Sequence, residues 1–596
     1  MATYLVAIGK TSTLSKLASL LSENSSVVQN EQKISHVSAT SSVLVMGKNI
    51  ECNVNDNPNG QFFSGWMLDH QSSSLFLGQT GFEEGELRHQ YNELETNEGS
   101  FIHAEWNEKS LTIRHDCFGL YPILYFSSKE IFVACDSLLV LARIRTLLGY
   151  ENKMNHHVHA TRSWTTGIAN SIMSTSTLVK GIHYLPPASS ITVTHMNHSR
   201  KYKLSIDKNI ANFPAVFRNP EEPYTSALLQ SIKQIVGSVS AIQSLPEFEI
   251  KFGLSGGLDS RVLLAILKYN QTSIANIDIR SNIHPSRLTD LQVVEGLSEK
   301  YSFIFNKNDH TKEIENRSGA KPIRVKNMFG NWALSNLGMF DMMYMYSSYW
   351  NHPAVIEMGG NGAEIVKGTF SQTNLFQIAF RKKPKQYFEL RTEIKNGLKA
   401  IHCSFRQKNM MQWHHLGYKS SIQGGRFTDR TLLALRPLMN RYLCSMGLNI
   451  AKDTTNTILQ DMLIILDPEL ARFPFDDEKK NITEEYIDST LLGLSKINKQ
   501  PIIEPYQIFG TSSDIKNGML ESFSEFGNDF VIESEDIRED ISRTMENVWN
   551  GIKSKKIKKQ YAQAYQLAKQ KLADSESYVP SAGVYAAKII QLSLVD

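Results

Sequence analysis

Cysteine is scarce in this sequence: five in 596 residues, Cys52, Cys117, Cys135, Cys403 and Cys444, scattered and with no C-x-x-C pair. That pattern indicates neither a disulfide scaffold nor a zinc ribbon and fits a reducing compartment. Long apolar runs are also missing, with none near the roughly 20 residues that span a bilayer. The opening Met1-Ala2-Thr3-Tyr4-Leu5-Val6-Ala7-Ile8-Gly9-Lys10 turns polar too soon for a signal peptide and reads as a first strand. These features predict a cytoplasmic protein without a membrane partner. Excess charge is lacking as well: a formal net charge of +3 gives no support to a nucleic-acid partner. There is no internal repeat and no low-complexity tract.

What is present is a globular composition, 41% hydrophobic and 21% charged, in a chain long enough for two to four domains. From Phe62 to Val133 short β-branched and aromatic runs alternate with turn residues: Phe101–Trp106, Leu111–Arg114, Ile123–Phe126 and Ile131–Val133. The spacing predicts antiparallel strands. Ile182–Val193 places Pro186-Pro187 before another strand, so a β-rich domain is expected to end near residue 205, with residues 206–596 forming a second domain. There the period becomes helical over Tyr224–Val239, then strand over Phe248–Leu254, helix over Arg261–Leu267 and strand over Ile274–Ile279. Such a β-loop-α-β unit belongs in a parallel sheet. From Phe376 onward most segments read as helical. Lys553–Lys559 is the one marked charge run, expected as a solvated helical face, with a docking surface for an acidic partner or leader peptide as the minor reading.

Between that strand and helix lies Ser255-Gly256-Gly257-Leu258-Asp259-Ser260. A glycine pair lets backbone approach an anion, and the amides opening the next helix point at it. Ser255 and Ser260 supply hydroxyl donors, and Asp259 is a hard oxygen ligand suited to Mg²⁺. The Gly-Lys-Ser/Thr ending of a Walker loop is absent. Arg261 either supports the phosphates or points away along the helix.

The hexapeptide resembles the loop of asparagine synthetases and related N-type ATP pyrophosphatases, which cleave ATP to AMP and pyrophosphate. Arg114-His115-Asp116-Cys117-Phe118-Gly119-Leu120-Tyr121-Pro122-Ile123-Leu124-Tyr125 is similar to an element of that family's amino-terminal domain, as are Gly181-Ile182 and Leu185-Pro186-Pro187. Asp290–Glu295, Pro437-Leu438-Met439-Asn440 and Leu466-Asp467-Pro468-Glu469-Leu470 extend the likeness to about residue 476, leaving a divergent helical tail. The resemblance implies a glutaminase-like Ntn-type αββα sandwich followed by a parallel-sheet α/β ATP-pyrophosphatase domain. It implies ATP and Mg²⁺ as cofactors, with Leu254, Ser255, Gly256, Gly257, Asp259, Ser260, Asp278, Gly359 and Gly360 around the nucleotide.

The sequence departs from the family in three places. Glutamine-hydrolysing members expose an N-terminal cysteine, whereas this chain has Ala2, so an amine not taken from glutamine is expected. The family's Gly-Glu-Gly-x-Asp-Glu loop stands as Gly359-Gly360-Asn361-Gly362-Ala363-Glu364: Gly360 replaces the first glutamate and Ala363 the metal-binding aspartate. Glu364 then either becomes the second Mg²⁺ ligand beside Asp259 or caps the following helix. The family's catalytic lysine has no clear counterpart. Lys367 is the leading candidate, with Lys452, Lys479 and Lys480 behind it, so the catalytic set is Asp259, Glu364 and Lys367.

Cysteine-less members include β-lactam synthetases and lasso-peptide macrolactam synthetases. The resulting expectation is a ligase that adenylates a carboxylate and passes it to an amine, in peptide or specialised-metabolite tailoring. A precursor peptide and a leader-binding or protease protein are its candidate partners. The alternatives are an ammonia-dependent asparagine synthetase-like enzyme, a degenerate non-catalytic ATP-binding protein, and a nucleobase- or tRNA-modifying enzyme. His115 with Cys117, the adjacent pairs His156-His157 and His414-His415, and Met339, Met342, Met343 and Met345 are read as structural.

Overall fold

The computed structural model describes residues 4–24, 32–47, 58–86, 94–165, 167–198, 201–218, 224–269, 274, 277–283, 287–308, 326–343, 355–368, 384–407, 409–426, 433–449, 456–495, 503–516, 537–574 and 579–595. Ala2, Cys52, Met345 and Lys452 lie outside them.

The amino-terminal half folds as two stacked sheets because its strands alternate faces. One sheet has the order β10-β8-β9-β1-β3-β2, with β1 Tyr4–Lys10, β2 Gln32–His36, β3 Ser41–Gly47, β8 Ile123–Ser127, β9 Ile131–Cys135 and β10 Ile182–Leu185. The other has the order β12-β11-β7-β6-β4-β5-β18, with β4 Gly60–Asp69, β5 Ser74–Leu77, β6 Glu98–Trp106, β7 Ser110–His115, β11 Ser190–His198, β12 Lys201–Asn209 and β18 Gln507–Phe509. On β1, Tyr4, Val6 and Ile8 turn inward to meet Ile102, Ala104, Ile113 and Ile191, while Leu5 and Ala7 turn outward under the helices Thr11–Asn24 and Leu138–Leu147. The helix Gly78–Glu86 packs Phe82 on Phe63, Phe76 and Phe101 of the second sheet. The result is the αββα sandwich expected. Its edge strand β18 comes from the far end of the chain and runs parallel to β5, a pairing that no local pattern announces.

The second half is built on a five-stranded sheet, β15-β14-β13-β16-β17, with β13 Glu249–Gly253, β14 Ile277–Asn282, β15 Phe305–Asn308, β16 Val355–Met358 and β17 Leu433–Leu435. Every pairing is parallel, as the β-loop-α-β reading requires. Ile250, Phe252, Ile279 and Ile356 are buried beneath the helices Tyr224–Gln243, Leu258–Tyr269 and Thr457–Leu466. Among the described residues the tail is largely helical, and its lysine run opens the helix Lys555–Ala573, with Ile557 buried and Lys555, Lys556 and Lys559 exposed. No helix among the described residues is long and apolar enough to cross a membrane.

Several histidines are buried. Desolvation, helped by Arg162 and His156, pulls His159 down to about 3, and desolvation pulls His414 down to about 4. Because these folded values lie below the ordinary 6.5, the neutral forms favour the fold above pH 6.5. That stability is lost as pH falls from 6.5 toward 4 and then 3. The thermal midpoint is therefore expected to drop between pH 7 and pH 4, and His414→Gln should flatten the upper part of that fall. A midpoint unchanged over this range would contradict the assignment.

Candidate nucleotide site

From β13 the chain winds outward through β14 and β15, then returns to β16 on the other side and continues to β17. The winding direction reverses between β13 and β16, so the loops leaving their carboxyl ends diverge. In open parallel sheets such a reversal makes a ligand crevice. Both glycine-rich segments, 254–257 and 359–362, lie at this reversal.

The first loop is tied by its own side chains. The Leu254 amide donates to the Arg280 carbonyl at 2.8 Å, extending the ladder one step. The Gly256 amide donates to Asp290 Oδ1 at 2.9 Å, and the Gly257 amide to Ser255 Oγ at 3.3 Å. Ser260 Oγ donates to the Ser255 carbonyl at 3.0 Å and lies 3.0 Å from Ser255 Oγ, so both hydroxyls shape the loop. Gly256 cannot be replaced without a clash: a Cβ there would stand 2.7 Å from Asp476 Cβ and 2.9 Å from Asp290 Oδ1.

Arg261 points away from the crevice. Its Nη1 and Nη2 donate to the Phe473 and Pro474 carbonyls, and its guanidinium sits 3.6 Å over the Phe475 ring. This anchors the segment that sets Asp476 against the loop. Lys480 Nζ in turn meets Asp476 Oδ2 at 2.7 Å. Asp290, Asp476 and Lys480 thus border the loop. The sequence singled out Lys480 only weakly and the two aspartates not at all as site residues.

The second loop approaches the first closely. A Cβ on Gly360 would lie 3.5 Å from Asp259 Cβ, while Gly362, at φ +101°, packs where a Cβ would stand 2.5 Å from the Leu438 carbonyl. Gly359 lies under Arg436, whose Nη1 would be 2.7 Å from a Cβ there. Lys367 reaches across, its Nζ 2.7 Å from Asp259 Oδ1 and 2.9 Å from Oδ2. Glu364 turns elsewhere: Oε2 accepts from the Gly362 amide at 3.0 Å and Oε1 lies 3.3 Å from His415 Nε2. Burial would raise the Glu364 carboxyl, but the His415 hydrogen bond and charge and the backbone donors outweigh it, leaving it below its ordinary value. Burial lowers His415, against the pull of Glu364, and lowers Lys419 one turn further on. These two residues sit where the helix Met410–His415 passes into π-helical turns, a distortion frequent at functional sites. Sequence reasoning passed over them because adjacent histidines suggest no metal spacing.

Asp278 lies within β14. It pairs in register with Lys251, four residues before Ser255, and its carboxylate is held by Arg280 at 2.5 Å and Asn306 at 2.6 Å. The donor set also falls short of a magnesium site built by protein ligands. Ala363 is a buried methyl, Asp259 is engaged by Lys367, and Glu364 by Gly362 and His415. No group of three His, Cys, Asp or Glu among the described residues is arranged to hold a metal.

No protein-family model and no curated protein matches the chain. Among solved structures, a glutamine phosphoribosylpyrophosphate amidotransferase from B. subtilis, complexed with ADP and GMP, is similar at 9% identity. The match covers 65% of this chain and 79% of that one, with a TM-score of 0.19. A structure described as the allosteric regulatory enzyme of purine biosynthesis is similar at 9% identity over 72% and 98% of the two chains, with a TM-score of 0.21.

Proposed function

We propose that this chain is an ATP-dependent carbon–nitrogen ligase that adenylates a carboxylate, releases pyrophosphate and passes the acyl group to an amine. The observation that carries this reading is the meeting of two glycine-rich loops at the reversal point of a parallel sheet, with Lys367 and Asp259 bridging them. In this reading the carboxylate oxygen attacks the α-phosphorus and the bond to the β-phosphate oxygen breaks. The departing pyrophosphate is held by the 255–260 loop and the amides opening the helix Leu258–Tyr269. The amine then attacks the acyl-adenylate carbonyl, AMP leaves, and the amine proton passes to a base. Glu364 and His415 are the carboxylate–imidazole pair beside the loop. Burial lowers His415 while Glu364 pulls it up, and its imidazole is the base this reading assigns to that step.

The four described thiols support an amine from a source other than glutamine. Cys117, Cys135, Cys403 and Cys444 are all buried, and desolvation raises Cys403 to about 12 and pushes Cys117 and Cys444 well above the ordinary thiol value. None of the four is a poised nucleophile. Peptide or specialised-metabolite tailoring, including macrolactam closure on a precursor peptide, is the favoured setting.

The test measures nucleotide products with a panel of amino-acid and peptide carboxylates, hydroxylamine serving as the amine. AMP formed in step with hydroxamate, and no glutamate released from glutamine, is the expected outcome. ADP as the product, or glutamine hydrolysis matching ATP consumption, would sink the proposal.

A further inference from the structure

The exchange at Ala363 has a counterpart one helical turn away. The Lys367 amide donates to the Ala363 carbonyl at 2.8 Å, so the two side chains share one face of the turn. Ala363 puts a methyl where the resemblance places a carboxylate, and its methyl is buried. Lys367 then sends an ammonium to the other carboxylate of the pair, touching both oxygens of Asp259. A metal bound between two carboxylates requires the negative charge that this face of the turn lacks. A fixed cation on the same face needs only one carboxylate to anchor it.

We propose that Lys367, anchored by Asp259, neutralises the nucleotide phosphates in place of a second carboxylate-bound magnesium. Any Mg²⁺ then arrives on the nucleotide, held by phosphate and water, and ATP affinity rests on the lysine. This rests on the reading of the 255–260 loop as a nucleotide site. An ammonium has three donors; two directions are taken by Asp259, and the third serves a phosphate oxygen. Lys480, paired with Asp476 four residues before it, beside Gly256, supplies a second cation, so a polyanion can enter despite Asp259, Asp290 and Asp476 at the loop. Charge-assisted hydrogen bonds of this kind are the strong ones.

The test is calorimetric titration of the full chain with ATP, once in excess Mg²⁺ and once in EDTA. Wild type is expected to bind in both, with affinities within about tenfold, and Lys367→Met to lose roughly tenfold or more in both. Lys367→Arg keeps the charge and should retain binding. The double variant Ala363→Asp with Lys367→Met restores a two-carboxylate pair and should bind only in Mg²⁺. Thermal melting of each variant verifies folding. Binding that disappears in EDTA and is indifferent to Lys367→Met in Mg²⁺ overturns the lysine assignment alone. Absence of wild-type binding in both buffers removes the nucleotide reading of the loop itself.

Discussion

Asp341→Ala is expected to destabilise the protein by about 3–5 kcal/mol, the range for breaking a buried ion pair by removing one partner. Asp341 is 1% exposed and receives two cations: Arg162 through Nη2, and Lys588 with Nζ 2.7 Å from Oδ2. Arg162 ends the helix His156–Arg162, and Lys588 lies on the helix Val579–Ile590, so one carboxylate joins these two helices. Lys588 also donates to the Arg162 and Ala169 carbonyls at 3.1 and 3.0 Å. Burial pulls its ammonium down to about 8, with Asp341 opposing that shift and Arg162 adding to it. Without Asp341, two buried cations face each other. Lys588→Met removes one charge and fills similar space, so it should cost much less, and the double variant should be less than additive. Thermal melting and hydrogen exchange across residues 583–594 measure this. An Asp341→Ala protein that melts with wild type and protects those amides equally would refute it.

Gly256→Val should abolish measurable ATP binding, a loss of at least roughly a hundredfold. Its side chain would occupy the space of Asp476 and Asp290 and break the Gly256–Asp290 hydrogen bond. The perturbation is confined to the mouth of the sheet, so the melting curve should move far less than binding does. Gly253→Ala is the control, since a Cβ there meets nothing within 4 Å; it should bind like wild type. Full binding by Gly256→Val would mean that the nucleotide, if bound, sits elsewhere.

The strands around Phe101–Trp106 and Ile123–Val133 and the β13-loop-helix unit were legible because alternation, helical period and glycine chemistry act over fewer than about ten residues. The same local reading placed Ser255–Ser260 and Gly359–Glu364 on loops following strands. It could not tell that Asp278 is captured by Arg280 and Asn306, nor choose between the two directions for Arg261, because partners decide both. It left Glu364 open between metal ligand and helix cap. In the fold, Glu364 accepts from the Gly362 amide and faces His415.

By itself, the sequence determined the class of each half and the position of the Ser255–Ser260 loop between strand and helix, since both follow from short-range periodicity and the conformational freedom of glycine. Only the tertiary structure decided that Lys367 pairs with Asp259 across 108 residues, that Asp476 braces Gly256, and that residues 507–509 complete a sheet begun near residue 60. The physical reason is that such contacts depend on distance in space, and sequence separation carries no record of it once the chain has closed its loops.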